Sequence, residues 1–572
     1  MSDFESSYKD LLSTFNLVGS SKGNERTGHG APPETGNREP AADVSGPTDG
    51  IIFTDTQVLA EKFSLSEYEV LSSIKHYITA SKQRGFEWAL LDMSDNSNRQ
   101  FLTIDKSPYS YHKALNAFTS RRNWKTDAET CLFIIGGNDV IPVKQSVDSL
   151  DFQEFLTDED IYYCFPSGFD FQEEIEMIVT EESTPEDISN YLLSKALFNV
   201  SRLPLDAKKV KEGFANTIGN YFERAISSNW QIPVKHVMVT TAKQWEKESD
   251  FVANGLPLVP TNDYPGLIKN GVFQSPEVDL DNPSTLREYY NTMRGADLLL
   301  FNLHGAPDYN VSSYFGDNGN PCNHFQPRAF DIESLEYISG RVINSMACFG
   351  AKYLNIGRSL LKSSIYQDVL LFAGSSNFAW GRQSNDFPCG CSEIFLRFYT
   401  EYLMSDFPAG LAFLTAKIDY LAAFLAIDGF DKAYFTVREF NLFGDPSISC
   451  ICNQKPKTIA KPKYSVSPRP WFKGAIHNAY GITAQSALDE VYEQVRDAVD
   501  ANLEEIAIKL GHRIYNDLGY NDVKISKIDK IKSKNKHSGY RFTYSVDQHF
   551  YRGVVEINTN LQGEPSSIFY TK

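Results

Sequence analysis

Two apolar runs in this chain end in reactive side chains. Residues 297–308 read DLLLFNLHGAPD and residues 341–354 read RVINSMACFGAKYL, so His304 and Cys348 each follow a strand-like run and sit among small residues. A thiol is a nucleophile as its thiolate, and an imidazole within reach can pass a proton to a leaving amine. Gly305 allows close approach of backbone, and the N–H groups of Gly305 and Cys348 are candidates for an oxyanion hole. The stretch after the cysteine, FGAKYLNIGRSLL, reads as a helix. That helix would set the thiol at its N-terminus, where the dipole favours a negative charge. Alone, either residue is simply read as a core side chain. Their shared position on successive strands separates them from the other histidines. Cys322 and His324 lie in a loop, precede no apolar run and are incidental.

Side chains at strand ends need a sheet to hold them. Short apolar runs recur at 86–93 (FEWALLDM), 131–137 (CLFIIGG), 198–204 (FNVSRLP), 235–242 (KHVMVTTA) and 368–376 (DVLLFAGSS). Helical spacing lies between them, as in SYHKALNAFTSRRNW, and helices are expected near 206–227, 245–255, 284–294, 390–404 and 409–426. This alternation implies an α/β fold with a parallel sheet covered on both faces. Its length suggests two stacked α/β units, 51–230 and 231–454. In such sheets, reacting groups collect beyond the carboxyl ends of the strands, where both residues fall.

The flanks differ in composition. Residues 1–50 hold one short amphipathic stretch (Phe4, Tyr8, Leu11, Leu12, Phe15) and then a Gly-, Pro- and Ser-rich tether with nothing apolar to bury. Residues 455–480 form a Pro- and Lys-rich linker. Beyond it, 481–572 reads as a small α+β module: one long helix over 486–518, then four strands. No ionisable constellation occurs there, so binding or structure is its expected role.

The chain has 572 residues, too many for one core, with 55 basic and 73 acidic side chains and a net charge of −18. That balance disfavours nucleic acid or an anionic membrane as the partner and suits basic peptide segments. No apolar run reaches the length of a membrane span, and the start lacks the pattern of a secretory signal. A cytoplasmic location is expected. Eight cysteines are sparse, and neither C-x-C pair, Cys389/Cys391 or Cys450/Cys452, has a zinc-spaced partner set. Reduced thiols are the expectation. No G-x-x-x-x-G-K-[ST] loop and no strand-following G-x-G-x-x-G points to a nucleotide.

Over 85–452 the chain resembles the gingipain family of cysteine peptidases, relatives of caspases and legumains built on a His-Gly and Ala-Cys dyad. The landmarks, in the family's order, are LFIIGGNDVIPV (132–143), TDEDIYYCF (157–165), FNVSRLP, NLHG (302–305), SMACFGA (345–351), LLFAGSSNFAW (370–380) and FNLFGDPSIS (440–449). The resemblance implies a caspase-like catalytic region of two stacked α/β subdomains and peptide-bond hydrolysis, with His304 and Cys348 as the dyad. In arginine-specific members an acidic residue floors the S1 pocket. The stretch KESDFVANGL (247–256) offers Asp250 there, and Trp380 corresponds to the pocket-wall tryptophan. A carboxylate beside an aromatic face suits a P1 cation.

Departures shape the expected function. Where the family carries a glutamate near the histidine, VTTAKQW places Lys243, and Asp308 is a weak substitute. The reading is a cysteine endopeptidase (a thiol protease) cleaving after Arg or Lys in specific protein targets, restrained by its N-terminal tail or C-terminal module. Lys22, Arg26, Arg38 and the stretch from Lys455 to Lys463 are candidate self-cleavage sites. The alternative is a catalytically inactive peptidase fold acting as an adaptor. No cofactor is implied. Calcium, bound by relatives of the family, stays open, since scattered carboxylates such as Asp317 and Asp331 define no ligand set.

Overall fold

Every apolar run named above is a strand of one large sheet. The computed structural model describes residues 49–451 and 490–571 with internal breaks, the longest being 205–214, 253–271, 275–282, 306–311, 317–327, 384–390 and 495–500. The stretch Phe4–Phe15, the tether to residue 48 and the linker 455–480 lie outside the described residues. In chain order the strands of the sheet are β1 (Gly50–Thr54), β2 (Trp88–Asp92), β3 (Cys131–Ile135), β4 (Asn199–Leu203), β5 (Val237–Thr241), β6 (Val272–Gln274), β7 (Leu298–Asn302), β8 (Val342–Ser345) and β9 (Leu371–Ser375). After β9 the chain forms β10 (Trp380–Gln383), which leaves the sheet, and it returns as β11 (Phe440–Gly444). The order across the sheet is β2-β1-β3-β4-β11-β9-β8-β7-β5-β6.

The two α/β units therefore share one sheet. β11 runs parallel to β4 and antiparallel to β9, so the two halves point in opposite directions. The carboxyl ends of β5, β7, β8 and β9 open on a common edge. Strand β1, whose residues GIIFT are all buried, starts the fold and went unnamed among the sequence runs. Leu298, Leu299, Leu300, Val342, Ile343, Leu371 and Phe372 are fully buried, and each such aliphatic side chain contributes about 1.5–3 kcal/mol on leaving water.

Helix boundaries follow local chemistry. Ser66 accepts from the Glu69 backbone N–H while Glu69 reaches back to Ser66, a capping box that starts the helix Glu67–Gln83. Ser107 caps Pro108–Arg121, with proline at the first turn, where its missing N–H costs nothing. Ala409–Asp428 is apolar all round and buried. Its buried Asp419 accepts from the hydroxyls of Ser189 and Tyr402. Among the described residues no helix is long and apolar enough to cross a membrane.

The landmark motifs interlock beneath the open edge. Buried Arg202 donates to Asp160 through Nε and Nη2 at 2.6–3.1 Å and to the carbonyls of Gly136 and Ile141 at 2.9 and 2.8 Å. Asn441 receives the Asp160 N–H at 3.0 Å and donates to the Asp158 carbonyl at 2.7 Å. The Asp158 N–H donates to Ser376 Oγ at 3.1 Å, and Asn377 Nδ2 donates to Thr157 Oγ1 at 2.6 Å. Four stretches distant in sequence, linked in this way, thus brace the connection between β9 and β10.

The C-terminal module differs from its expected form at its start. The helix runs only over Ala501–Leu518, and Glu490–Gln494 is instead a strand, β12. The stretch pairs antiparallel with β13 (Asn521–Ser533) from Glu490↔Ser533 to Gln494↔Asp529, and that ladder outcompetes its helical spacing. β14 (Lys536–Gln548), β15 (Tyr551–Asn560) and β16 (Pro565–Thr571) complete a sheet ordered β10-β16-β15-β14-β13-β12. Leu503, Ala507, Leu510 and Ile514, on one helical face, are buried, and Tyr544 Oη donates to the Ala507 carbonyl at 2.7 Å. The edge strand β10 comes from the peptidase region.

Candidate active site

Strand register brings the two reactive residues together. β7 and β8 run parallel with Phe301 opposite Ser345, and His304 and Cys348 each lie three residues further on. The Met346 N–H donates to the Phe301 carbonyl at 2.8 Å, extending the ladder past the last paired residues. Backbones then touch: a Cβ placed on Gly305 would lie 1.7 Å from the Cys348 carbonyl oxygen and 3.1 Å from its nitrogen. Only glycine allows this approach. His304–Gly305 pairs antiparallel with Tyr314–Phe315, and Tyr314 Oη donates to the Gly350 carbonyl at 2.8 Å. The short hairpin thus clamps the segment that bears the cysteine.

The helix expected immediately after Cys348 is not there. Residues 348–351 form a turn with Phe349 at φ 54°, and the next helix is Leu360–Tyr366, capped by Ser359. Tertiary bonds take the backbone donors: Phe349 N–H to the Asn377 carbonyl at 2.6 Å, and Ala351 N–H to Ser375 at 2.8 Å. This stretch therefore brings no helix dipole to the thiol. Its sulfur instead receives the Ala379 N–H at 3.2 Å, with the Ala379 carbonyl 3.7 Å away.

A tryptophan completes the surroundings of the histidine. The Trp245 ring lies 4.4 Å from that of His304, centroid to centroid. Trp245 closes a short turn, Lys243–Trp245, that follows β5, the neighbour of β7 in the sheet. It was missed in the sequence, although its place just beyond a third strand end is the same signal that marked His304. Lys243 is exposed. Nothing places Lys243 against the imidazole, and Asp308 lies outside the described residues.

The two pocket residues fare differently. Asp250 lies outside the described residues. Trp380 follows Ala379 directly and is buried, with Phe435 edge-on at 6.3 Å and Lys432 Nζ 3.4 Å from its ring centroid. Lys432 pairs with Glu556 of the C-terminal module at 3.0 Å. Beneath the β9–β10 connection, burial pushes the Asp158 carboxyl up to about 6, against the hydrogen bond from Gln145. Burial also lowers Lys352, in the segment past Cys348, with the Asp158 charge opposing. Among the described residues no cluster of three His, Cys, Asp or Glu side chains is placed to hold a metal ion.

Comparison with known proteins agrees with this architecture. The model of peptidase family C25 matches residues 44–451, most of the chain. The chain belongs to peptidase family C25. Family membership makes it a cysteine peptidase on a mixed α/β fold of the caspase-like kind, acting on protein substrates. A solved structure titled "Structure of Protease" aligns over 93% of this chain and 98% of its own at 10% identity, with a TM-score of 0.44. No curated protein sequence matches the chain. The C25 match ends at residue 451, so the module built on β12–β16 lies beyond it.

Proposed function

We propose that this C25 peptidase hydrolyses peptide bonds with His304 and Cys348 as its dyad and cleaves after Arg or Lys in specific protein targets. The observation that carries the dyad is the approach of Gly305 to the Cys348 backbone at the carboxyl ends of adjacent parallel strands. In this scheme the Cys348 proton passes to His304, and the thiolate attacks the scissile carbonyl carbon. Collapse of the tetrahedral adduct breaks the C–N bond, His304 hands its proton to the departing amine, and water then releases the thioester. The Gly305 and Cys348 N–H groups are the proposed oxyanion donors.

Preference for a basic P1 residue rests on the likeness of KESDFVANGL to the family's pocket segment, on Trp380 beside the thiol-bearing loop, and on the charge of −18. Asp250 would pair with the P1 cation and Trp380 would wall the pocket. Among the described residues five cysteines are free thiols, and the proposed workplace is the cytoplasm. The N-terminal tail and C-terminal module are the proposed regulators, and the basic residues of the two linkers the proposed self-cleavage sites.

The test is a fluorogenic peptide screen varied at P1, run on wild type, Cys348→Ala and Asp250→Ala. Hydrolysis confined to P1 Arg or Lys, lost with Cys348→Ala and stripped of its basic preference in Asp250→Ala, is the expected result. Hydrolysis that survives Cys348→Ala would remove the dyad.

A further inference from the structure

We propose that the C-terminal strand β16 holds the active site shut by occupying the edge of β10 along which a peptide substrate must run. This rests on the reading of His304 and Cys348 as the dyad. β10 begins at Trp380, one residue past the N–H that bonds the Cys348 sulfur. Any extended chain pairing with β10 on its dyad side therefore passes the thiol. In this structure that chain is the protein's own: β16 pairs antiparallel through Trp380↔Thr571, Gly381↔Tyr570, Arg382↔Phe569 and Gln383↔Ile568.

Side chains show which edge is filled. The Tyr570 ring lies so close over Gly381 that a Cβ there would sit 2.5 Å from it. The same ring stacks on Trp245 at 6.2 Å and 10°, and Trp245 meets His304 at 4.4 Å. Tyr570 thus bridges from β10 to the dyad, which puts β16 on the catalytic side. Access is closed accordingly: Cys348 is 0% exposed, His304 4% and Tyr570 1%. A nucleophile so buried must be uncovered before it meets a scissile bond.

The latch is small. Phe569 and Val554 share one apolar cluster with Trp380, Cys391 and Phe435. The Lys432–Glu556 pair joins the same boundary. Four ladder residues, one stacked ring and one ion pair make a closure that a competing extended peptide or a ligand of the module can reverse, because pairing is by main chain and any strand can supply it.

Two variants of the full chain attack the latch from opposite sides. Tyr570→Ala removes the bridging ring, and Gly381→Ala drives a methyl group into it. The readouts are the second-order rate of Cys348 alkylation by iodoacetamide and the hydrolysis of the P1-Arg or P1-Lys peptide. Alkylation is expected to accelerate about fivefold to tenfold in each variant, the change that one lost buried aromatic contact makes in an opening equilibrium. Wild-type alkylation rates in both variants would overturn the closure, as would a wild-type thiol reacting as fast as a free cysteine. Faster alkylation without hydrolysis would leave the closure standing and fault the dyad instead.

Discussion

Gly305→Ala is the sharpest perturbation of the proposed dyad because the structure sets its size. The new methyl group would sit 1.7 Å from the Cys348 carbonyl oxygen, whereas an ordinary contact begins at 3.4 Å. The obstacle is backbone, not the end of a flexible side chain, and both segments are pinned. Tyr314 holds the turn from one side, and Asn377 and Ser375 hold it from the other. The histidine and cysteine segments must therefore part by more than 1 Å. Displacement on that scale costs about a hundredfold in rate when reacting groups are misaligned, or about 2.7 kcal/mol of transition-state stabilisation. Overpacking should also lower stability by about 1–3 kcal/mol. The assay is kcat/KM on the preferred peptide, measured in the Tyr570→Ala background so that access does not limit the rate, with thermal unfolding as the control. A kcat/KM within threefold of the background would refute the close approach as a catalytic constraint.

Three further expectations concern the framework. Arg202→Met strands buried Asp160 and the Gly136 and Ile141 carbonyls, and should cost about 3–5 kcal/mol; a loss under about 1 kcal/mol in denaturant titration would dismiss the scaffold role. Burial pushes the Lys417 ammonium down to about 8 from 10.5. The native state then binds fewer protons than the unfolded chain between those values, so stability rises as pH climbs through that window. Lys417→Met should abolish the rise and stabilise the protein at pH 7 by up to about 3 kcal/mol; a variant less stable at pH 7 would contradict this. Burial shifts Asp158 the opposite way, from 3.8 to about 6. Here the native state holds the extra proton, so its contribution falls as pH rises from about 4 to 6, and Asp158→Asn should flatten that slope in pH-dependent melting.

The parts of the site that lie on consecutive strands are legible in the sequence. DLLLFNL and RVINSMA are apolar runs of equal length, each ending directly before its reactive side chain, and parallel register then places His304 and Cys348 side by side. Gly305 follows from the same reading. What stays hidden depends on distant partners. FGAKYLNIG has apolar spacing fit for a helix, yet the carbonyls of Asn377 and Ser375 claim its first N–H groups and bend it into a turn. Residues 490–494 lose their helix to a ladder with a strand some forty residues further on. Trp245 was within reach, since its strand neighbours β7, whereas nothing in SSIFYT announces that Tyr570 stacks on Trp245, 325 positions earlier.

With a turn in place of the expected helix after Cys348, the described hydrogen bond to the thiol comes from the β9–β10 connection. The Ala379 N–H that reaches the Cys348 sulfur belongs to the same four-residue stretch whose Asn377 carbonyl receives the Phe349 N–H and whose Ser376 hydroxyl receives the Asp158 N–H. One residue further on, the chain becomes β10 and joins the sheet of the C-terminal module. The donor to the sulfur and the proposed substrate edge are therefore consecutive along a single backbone segment, and the proposed regulatory strand pairs with that segment. A strand that docks on β10 must set the position of the Ala379 N–H as well as cover the thiol. Exchange of β16 for a substrate peptide would then preserve the ladder that orients this donor while replacing the chain that blocks it. In this geometry the inhibitory strand serves as a template for the productive complex, and opening requires strand replacement more than domain departure.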